Sequence, residues 1–182
     1  MHRILTDEAL DSLFRTACSP NAWLDRPISD TLLRAVWELA RLGPASPTAL
    51  SVRALFLRSP QAKERLASAL SPNARAAALA APVAAILAAE AGDLEGAPVG
   101  VEARAQAVAG GSLRGAYLIL AARALGFDCH PIWDFDASAL ERVFFPDSAA
   151  VASFVCGLGC GDEAQRAANP PQPVPDEACR FL

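Results

Sequence analysis

The alternation of apolar and polar positions along the chain predicts a succession of short helices. Most of them begin after a residue whose side-chain oxygen can accept a hydrogen bond from the first helical turn, such as Thr6, Ser29, Ser59 or Asp136. Gly43-Pro44 ends the second helix, because neither residue continues a helix well. The predicted helices run from Thr6 to about Thr16, from Ser29 to about Ala40, from Pro60 to about Leu70, over Pro72–Ala80 and over Ala137–Phe145.

Short apolar runs without helical spacing predict the strands. These runs are Arg53–Leu57, read as a short buried strand, Val83–Ala89, Phe127–Ile132 and Val151–Leu158. The glycines of Gly157-Leu-Gly-Cys-Gly161 superficially resemble a phosphate-binding loop, but no Gly-Lys-Ser/Thr follows and no clear helix opens there. We therefore expect a turn at this position. Helices and strands together indicate the α+β class, with a small sheet flanked by helices.

One predicted helix, from Gly110 to Gly126, has no polar face. Arg114 and Arg123 are nine positions apart, so at about 100° per residue they point to opposite sides of the helix. The remaining surface is apolar, and a soluble helix that is apolar all round must be covered all round. We therefore expect a central helix shared with a partner subunit, beginning as early as Val101 and closed by Gly126 as its C′ residue.

Composition and charge exclude several classes of function. The chain has 182 residues, 53% of them hydrophobic, which suits one domain with an ample core. A net charge of −4 gives no electrostatic footprint for nucleic acid. The N-terminus turns acidic before any apolar run could form a signal peptide, and no apolar run is long enough to span a bilayer. We expect a cytoplasmic protein that binds neither nucleic acid nor membrane.

Cysteine and histidine usage predicts no metal site. The chain has five cysteines and two histidines, and no Cys-x-x-Cys motif. Zinc sites use four ligands in tight pairs, so reduced cysteines acting as small apolar residues are the better interpretation. No serine or cysteine lies in a nucleophile-elbow context. The residues by themselves therefore assign no catalytic group.

Eleven short segments, distributed over nearly the whole chain, carry a resemblance through their order and spacing rather than through any single motif. They are Asn21-Ala-Trp23, Pro27–Leu33, Gly43–Ser46, Arg53–Phe56, Ala81-Pro-Val83, Ala116–Ile119, Arg123–Gly126, Phe135-Asp136, Gly157-Leu-Gly159, Gly161-Asp162 and Asp176–Cys179. In this arrangement the chain resembles the nitroreductase family of FMN-dependent oxidoreductases. It is most similar to the malonic semialdehyde reductase, or 3-hydroxypropanoate dehydrogenase-like, branch.

The resemblance implies a nitroreductase-like α+β fold, in which helices flank a small central mixed sheet. It implies an intertwined homodimer around the long apolar helix, with two FMN sites at the interface. In such enzymes the flavin takes a hydride from NAD(P)H and passes it to a second substrate, here a small aldehyde, enone or nitro compound. One nitroreductase-like domain would span residues 1–182, and residues 169–182 would form an extended C-terminal tail that can pack on the partner subunit.

The family's flavin-binding positions can be carried over residue by residue. The candidate cofactor-binding residues are Arg15, Ser46, Thr48, Arg53, Pro131, Ile132, Trp133 and Arg166. Ser46 and Arg53 would line the flavin ring and its polar edge, whereas Arg15 or Arg166 would reach the phosphate.

Several of these positions depart from the family pattern. Cys18 stands where the family has its first phosphate-binding arginine, and Thr48 replaces an asparagine that hydrogen-bonds the ring. Trp133 and Asp134 replace small residues beside the flavin edge. Asn169 and Gln172 stand near the family's C-terminal phosphate clamp.

These departures leave two functions open. The first is a working FMN oxidoreductase, and the second is a flavin-free relative that keeps the dimeric fold as a binding or structural module. Loss of positive charge and filling of the pocket by Trp133 act in the same direction. We therefore expect FMN to be held weakly or not at all after purification.

Overall fold

A four-stranded antiparallel sheet lies at the centre of the computed structural model, which describes residues 4–44, 51–91, 99–165, 178–179 and 181. Its strands are β1 (Val52–Leu57), β2 (Val83–Glu90), β3 (Asp128–Ile132) and β4 (Ala150–Gly159), in the spatial order β1-β2-β4-β3. The α+β class is confirmed, but these four strands do not form the expected mixed sheet. β2 and β3 run parallel to each other, yet β4 lies between them and pairs antiparallel with both.

The helices begin where the capping pattern predicts. They are α1 (Asp7–Leu10), which continues as a π-helical turn over Asp11–Arg15, α2 (Asp30–Ala40), α3 (Pro60–Ala67), α4 (Pro72–Ala80), α5 (Val101–Ala124) and α6 (Ala137–Phe144). The side chains of Thr6, Ser29, Ser59, Ser71 and Asp136 each accept a hydrogen bond from the backbone N–H three residues later. Each cap accepts a hydrogen bond from a first-turn backbone N–H that has no partner within the helix, and this fixes where the helix begins.

The two faces of the sheet are covered by different helices, α2 and α5 on one side and α3, α4 and α6 on the other. Successive residues of β2 therefore enter opposite cores, so Ile86 packs with Leu66 and Leu140 whereas Leu87 packs with Leu118. Burial on both faces explains why β2 is apolar without alternation. The predicted buried strand at 53–57 is instead the half-exposed edge strand β1, in which only the last residue is buried.

Helix α5 lays one stripe of small residues on the sheet and exposes part of its remaining surface. The buried residues of α5 are Ala107, Gly111, Gly115, Leu118, Ala121 and Ala122. Val108 and Leu113 on the other side are 40% and 42% exposed. Gly126 has a φ of 81°, the left-handed conformation that a C′ residue needs, as predicted. The sheet and α2 thus cover α5, and the described part of the chain leaves Val108 and Leu113 partly exposed.

The two arginines of α5 reach different elements. Arg114 Nη1 donates to the carbonyl oxygens of Ala40 at 2.7 Å and Gly43 at 3.3 Å, at the end of α2. Arg123 Nη1 donates to the carbonyl oxygen of Leu13 at 3.1 Å, in the π-helical turn. Charged donors on these part-buried carbonyl groups tie α5 to both N-terminal helices. None of the described helices is long and apolar enough to cross a membrane.

The glycine-rich segment 157–161 is mainly strand rather than the expected turn. Gly157 and Gly159 belong to β4, and Trp23 packs directly on both of them while Pro82 packs on Gly159. A Cβ on Gly159 would lie 2.6 Å from a ring carbon of Trp23 and 2.7 Å from Pro82. These glycines therefore serve close packing, and the chain turns only after Gly159.

Candidate functional site

The described candidate residues of the sheet lie at one end of it, where β1 begins and β3 ends. Arg53 is the second residue of β1, and Trp133 directly follows β3. β1 and β3 are the two edges of the four-stranded sheet, so about 14 Å of sheet separates them at strand spacings of about 4.8 Å. Arg53 shares its face with Leu55 and Leu57, whereas Trp133 packs on Phe154 of the opposite face. A molecule must therefore pass around the sheet end to contact both.

Arg53 forms an ion pair with a carboxylate that sequence reasoning missed. Its Nη2 lies 2.5 Å from Oε1 of Glu90, the last residue of β2. Both carboxylate oxygens of Glu90 are buried, and neither accepts a hydrogen bond from the residues that the structure describes. Half of the Arg53 side chain stays exposed. The available signal was a single acidic residue directly after the wholly apolar run 83–89.

Trp133 presents an aromatic surface at the other edge of this sheet end. Pro131 and Ile132 complete β3, and Ile132 is buried. The indole of Trp133 is 79% exposed and meets the Phe154 ring edge to face, with ring centroids 6.4 Å apart. The indole therefore packs against Phe154 of β4, and the described part of the chain does not bury it. A planar ligand can stack on it.

Arg15 lies in the π-helical turn and is already paired with two carboxylates. Its Nη1 is 2.9 Å from Asp7 and 3.0 Å from Asp11, and hydrogen bonds to Asp11 and then Asp7 raise the pKa of the guanidinium above its ordinary value. All three side chains are about half exposed or more. Two negative charges around one positive charge weaken any attraction for a phosphate. The ion pair between Asp11 and Arg15 was predictable from their i,i+4 spacing.

The structure separates Arg15 from the other described candidates. The π-helical turn contacts the C-terminal half of α5 through Arg123, and α5 leads into the beginning of β3. Arg53 and Trp133 lie at the opposite end, about 16 Å further along the strands. Cys18 is buried, with 6% of its surface exposed. The remaining candidate residues, Ser46, Thr48 and Arg166, together with Asn169, Gln172 and the tail 169–175, lie outside the described residues.

The chemistry that these groups can perform is binding rather than electron transfer. A guanidinium, an indole and a buried carboxylate can orient an aromatic or anionic molecule by charge and stacking. None of these side chains carries a hydride, so a redox reaction at this place depends on a bound cofactor.

Comparisons with known proteins cover nearly the whole chain. No protein-family model matches the sequence. The chain aligns with a protein from Ralstonia nicotianae that has the provisional name NADH dehydrogenase/NAD(P)H nitroreductase. The two are 36% identical over an alignment of 192 positions, gaps included, which covers 98% of each protein. A Burkholderia lata protein with the same provisional name is 40% identical over 174 residues, which cover 88% of this chain and 89% of the relative.

A solved structure has the same fold. It is a protein from Exiguobacterium sibiricum, provisionally described as a nitroreductase and solved in complex with FMN. It superposes on this chain with a TM-score of 0.80, covering 100% of both chains at 16% identity. At this identity the likeness is one of fold.

Proposed function

Since the chain belongs to the nitroreductase family, whose fold it shares, we propose that it is an oxidoreductase that uses FMN to carry a hydride from NAD(P)H to a small organic substrate. The observation that carries this proposal is identity over almost the full length with relatives named for NAD(P)H nitroreductase activity. The FMN complex of a protein with the same fold supports the choice of flavin.

The proposed substrate is a small aldehyde, with an enone or a nitro compound as the other electrophiles to test. The aldehyde comes first because the order of the short segments from Asn21-Ala-Trp23 to Asp176–Cys179 is most similar to the malonic semialdehyde reductase branch. All three classes present an electron-poor atom that can accept a hydride. Substrate preference is therefore a matter of the pocket around the flavin rather than of a different reaction.

The residues present fit the ring of FMN better than its phosphate. We assign the stacking surface to Trp133 and the polar edge of the ring to Arg53, which keeps an exposed guanidinium while Glu90 holds it. FMN, when bound, supplies the acceptor and donor of the hydride. Ser46 and Thr48 are proposed beside the ring with Pro131 and Ile132, and Arg166 is proposed with Arg15 at the phosphate.

Weak binding of FMN follows from the charges near the proposed phosphate position. Cys18 is uncharged and buried, and Arg15 is shared between Asp7 and Asp11. A charge-assisted bond to phosphate must compete with both carboxylates. We therefore propose that FMN exchanges readily and is partly lost on purification.

The test of function begins with the absorbance of the purified protein in the flavin bands, before and after incubation with FMN. Bound FMN should then support NAD(P)H oxidation that depends on malonic semialdehyde, an enone or a nitroarene. Saturable FMN binding without turnover of any of the three substrate classes would contradict the proposed reaction. Absence of FMN binding under all conditions would favour the flavin-free module instead.

Two variants examine the phosphate assignment separately. Arg15→Ala should weaken FMN binding severalfold, and Asp7→Asn combined with Asp11→Asn should strengthen it, because the second variant frees the guanidinium. Fluorescence quenching of FMN measures both affinities. Arg142→Ala, an exposed arginine on α6, is the matched control. Unchanged affinity in both variants would show that Arg15 does not contact the phosphate.

The role of Trp133 has its own test, because filling of the pocket and stacking on the ring predict opposite results. With Trp133 as the stacking surface, Trp133→Gly should weaken FMN binding severalfold, whereas Cys18→Arg should strengthen it by restoring a cation. Because Cys18 is buried, circular dichroism must first show that each variant is folded. A folded Trp133→Gly variant that binds FMN more tightly would show that the indole obstructs the ring, and a folded Cys18→Arg variant that gains no affinity would mean that this position does not limit FMN binding.

A further inference from the structure

A cleft of about 630 Å³ lies at the end of the sheet opposite to Arg53 and Trp133. Its walls are the segment 23–28, the beginning of α3 with the preceding Arg58, and the residues that join α4 to β2. About 16 Å of β1 separates Arg53 from Arg58, at about 3.3 Å per residue. A small molecule in this cleft does not reach the proposed flavin ring. All of the lining residues belong to the described part of the chain.

Positive charge dominates the polar lining of the cleft. Arg26, Arg58 and Lys63 line it, whereas Asp25 is its one carboxylate among the described residues. The whole chain has the opposite balance, with a net charge of −4. Such a local excess of cations attracts an anion, and a partly enclosed surface strengthens the attraction by excluding water.

Two of these cations are held in place and keep unused donors. The Lys63 ammonium donates to the carbonyl oxygens of Leu79 and Ala81, both at 2.8 Å, which leaves one of its three N–H groups. Arg58 pairs through one nitrogen with Asp30, a carboxylate outside the lining that offsets part of this charge and leaves Arg26 and Lys63 as the cations without a carboxylate partner among the described residues. A guanidinium has five N–H donors, so the pair with Asp30 leaves several free. The ordering of both side chains lowers the entropy cost of binding an anion.

The floor of the cleft is apolar. Trp23 sits on Gly159 and Gly157, and Ala81 and Val83 close the bottom with 0% and 1% of their surfaces exposed. A volume of about 630 Å³ lies within the usual range of about 300–1,000 Å³ for small-molecule sites and far exceeds what an inorganic anion fills. The occupant must therefore bring apolar surface as well as charge.

We propose that this cleft binds a small carboxylate with an aromatic or branched apolar body, the carboxylate meeting Arg26, Arg58 and Lys63 and the body packing on Trp23 and Pro82. The site is separate from the proposed reaction site. Binding there does not require FMN, and its test does not depend on the proposed oxidoreductase activity.

The first experiment separates charge from shape. Calorimetric titration with 2-naphthoate and with its neutral amide, 2-naphthamide, compares two ligands that share one apolar body. The carboxylate should bind at least about tenfold more tightly, and inorganic phosphate more weakly than the carboxylate. Arg26→Gln and Arg58→Gln should each weaken naphthoate binding about three- to tenfold without changing the affinity for the amide. Arg142→Gln, on α6 and not part of the cleft lining, should change neither.

The second experiment shows where the ligand binds. Lys63 is the only lysine of the chain, so an amine-reactive acetyl ester labels this side chain and the N-terminus alone. Mass spectrometry should find that naphthoate slows acetylation of Lys63 and leaves that of the N-terminal amine unchanged. The proposal is overturned by equal affinities for the acid and its amide, by full affinity in the Arg26→Gln, Arg58→Gln double variant, or by unprotected Lys63 at saturating naphthoate.

Discussion

At the scale of single residues, the glycines of α5 show how closely this helix approaches the sheet. A Cβ added to Gly115 would lie 2.5 Å from the Phe154 ring, whereas one added to Gly110 meets nothing within 4 Å. Alanine gains about 1 kcal/mol over glycine in a helix, but overpacking costs about 1–3 kcal/mol. Gly115→Ala should therefore lower the free energy of unfolding by about 1 kcal/mol, and Gly110→Ala should raise it by about 0.5–1 kcal/mol.

Chemical denaturation measures both changes. Because Phe154 supports Trp133, Gly115→Ala should also shift the tryptophan fluorescence, which Gly110→Ala should not. Equal stability of the two variants would mean that the close contact between α5 and β4 is wrong.

The buried carboxylate of Glu90 forms an ion pair with the half-exposed guanidinium of Arg53. Arg53→Ala leaves Glu90 without this partner and should lower the free energy of unfolding by about 1 kcal/mol, after allowance for solvent screening of the arginine. In a Glu90→Gln background the same change should cost much less. A double-mutant cycle by urea denaturation in the absence of FMN measures the coupling. Additive effects would show that the ion pair contributes nothing to stability.

Sequence reasoning at this scale succeeds where the signal is local. Ser29 and Asp136 cap their helices as predicted because a cap depends on the next three residues only. Glu90 was missed because its partner Arg53 lies on another strand, and only the register of β1 with β2 brings the two together. The role of the candidate residues on 45–50 and 166–177 stays a prediction.

At the scale of elements, Lys63 joins α3 to the end of α4. Its ammonium donates to the Leu79 and Ala81 carbonyl oxygens, so Lys63→Met should lower the free energy of unfolding by about 1 kcal/mol at neutral pH. Gln61→Met, two residues earlier on the exposed side of α3, should change it by less than about 0.5 kcal/mol. Guanidinium denaturation compares the two. Equal losses would contradict a role of the ammonium.

The same side chain gives stability a pH dependence. Burial lowers the pKa of Lys63 below its ordinary value of 10.5, so on raising the pH the folded chain releases this proton before the unfolded chain does. Between the two pKa values the unfolded state binds more protons, and stability rises with pH. The difference in unfolding free energy between wild type and Lys63→Met should therefore widen as the pH approaches 10.5. A constant difference across this window would contradict the shift.

How the strands pair is harder to predict from the sequence than where the strands lie. All four strands were predicted within a few residues, but a mixed sheet was expected and these strands are antiparallel throughout. The apolar run of β2 is compatible with either arrangement, because burial on both faces removes the alternation that would distinguish them. The exposure of β1 depends on its place at the edge of the sheet, which its own six residues do not encode.

At the scale of the whole molecule, the exposed side of α5 decides the proposed assembly. Among the described residues one stripe of the helix is buried, and Val108, Leu113 and Ala116 remain exposed. A helix this apolar favours a second copy on that side, in an interface larger than about 2,000 Å² in total. Light scattering should then give about twice the chain mass of 19.0 kDa at micromolar concentration.

Leu113→Glu tests whether the exposed side of α5 forms the dimer interface, which the oligomeric state of the wild type alone does not show. In a twofold interface the substitution acts in both subunits, so two buried carboxylates would face the same contact without partners. The variant should scatter as a monomer, and any FMN affinity should fall with the dimer if the flavin sites lie at the interface. Ala76→Glu, an equally charged change at an exposed position of α4, should leave the mass unchanged. A wild-type monomer would refute the assembly, whereas a Leu113→Glu dimer would place its interface on another surface than α5.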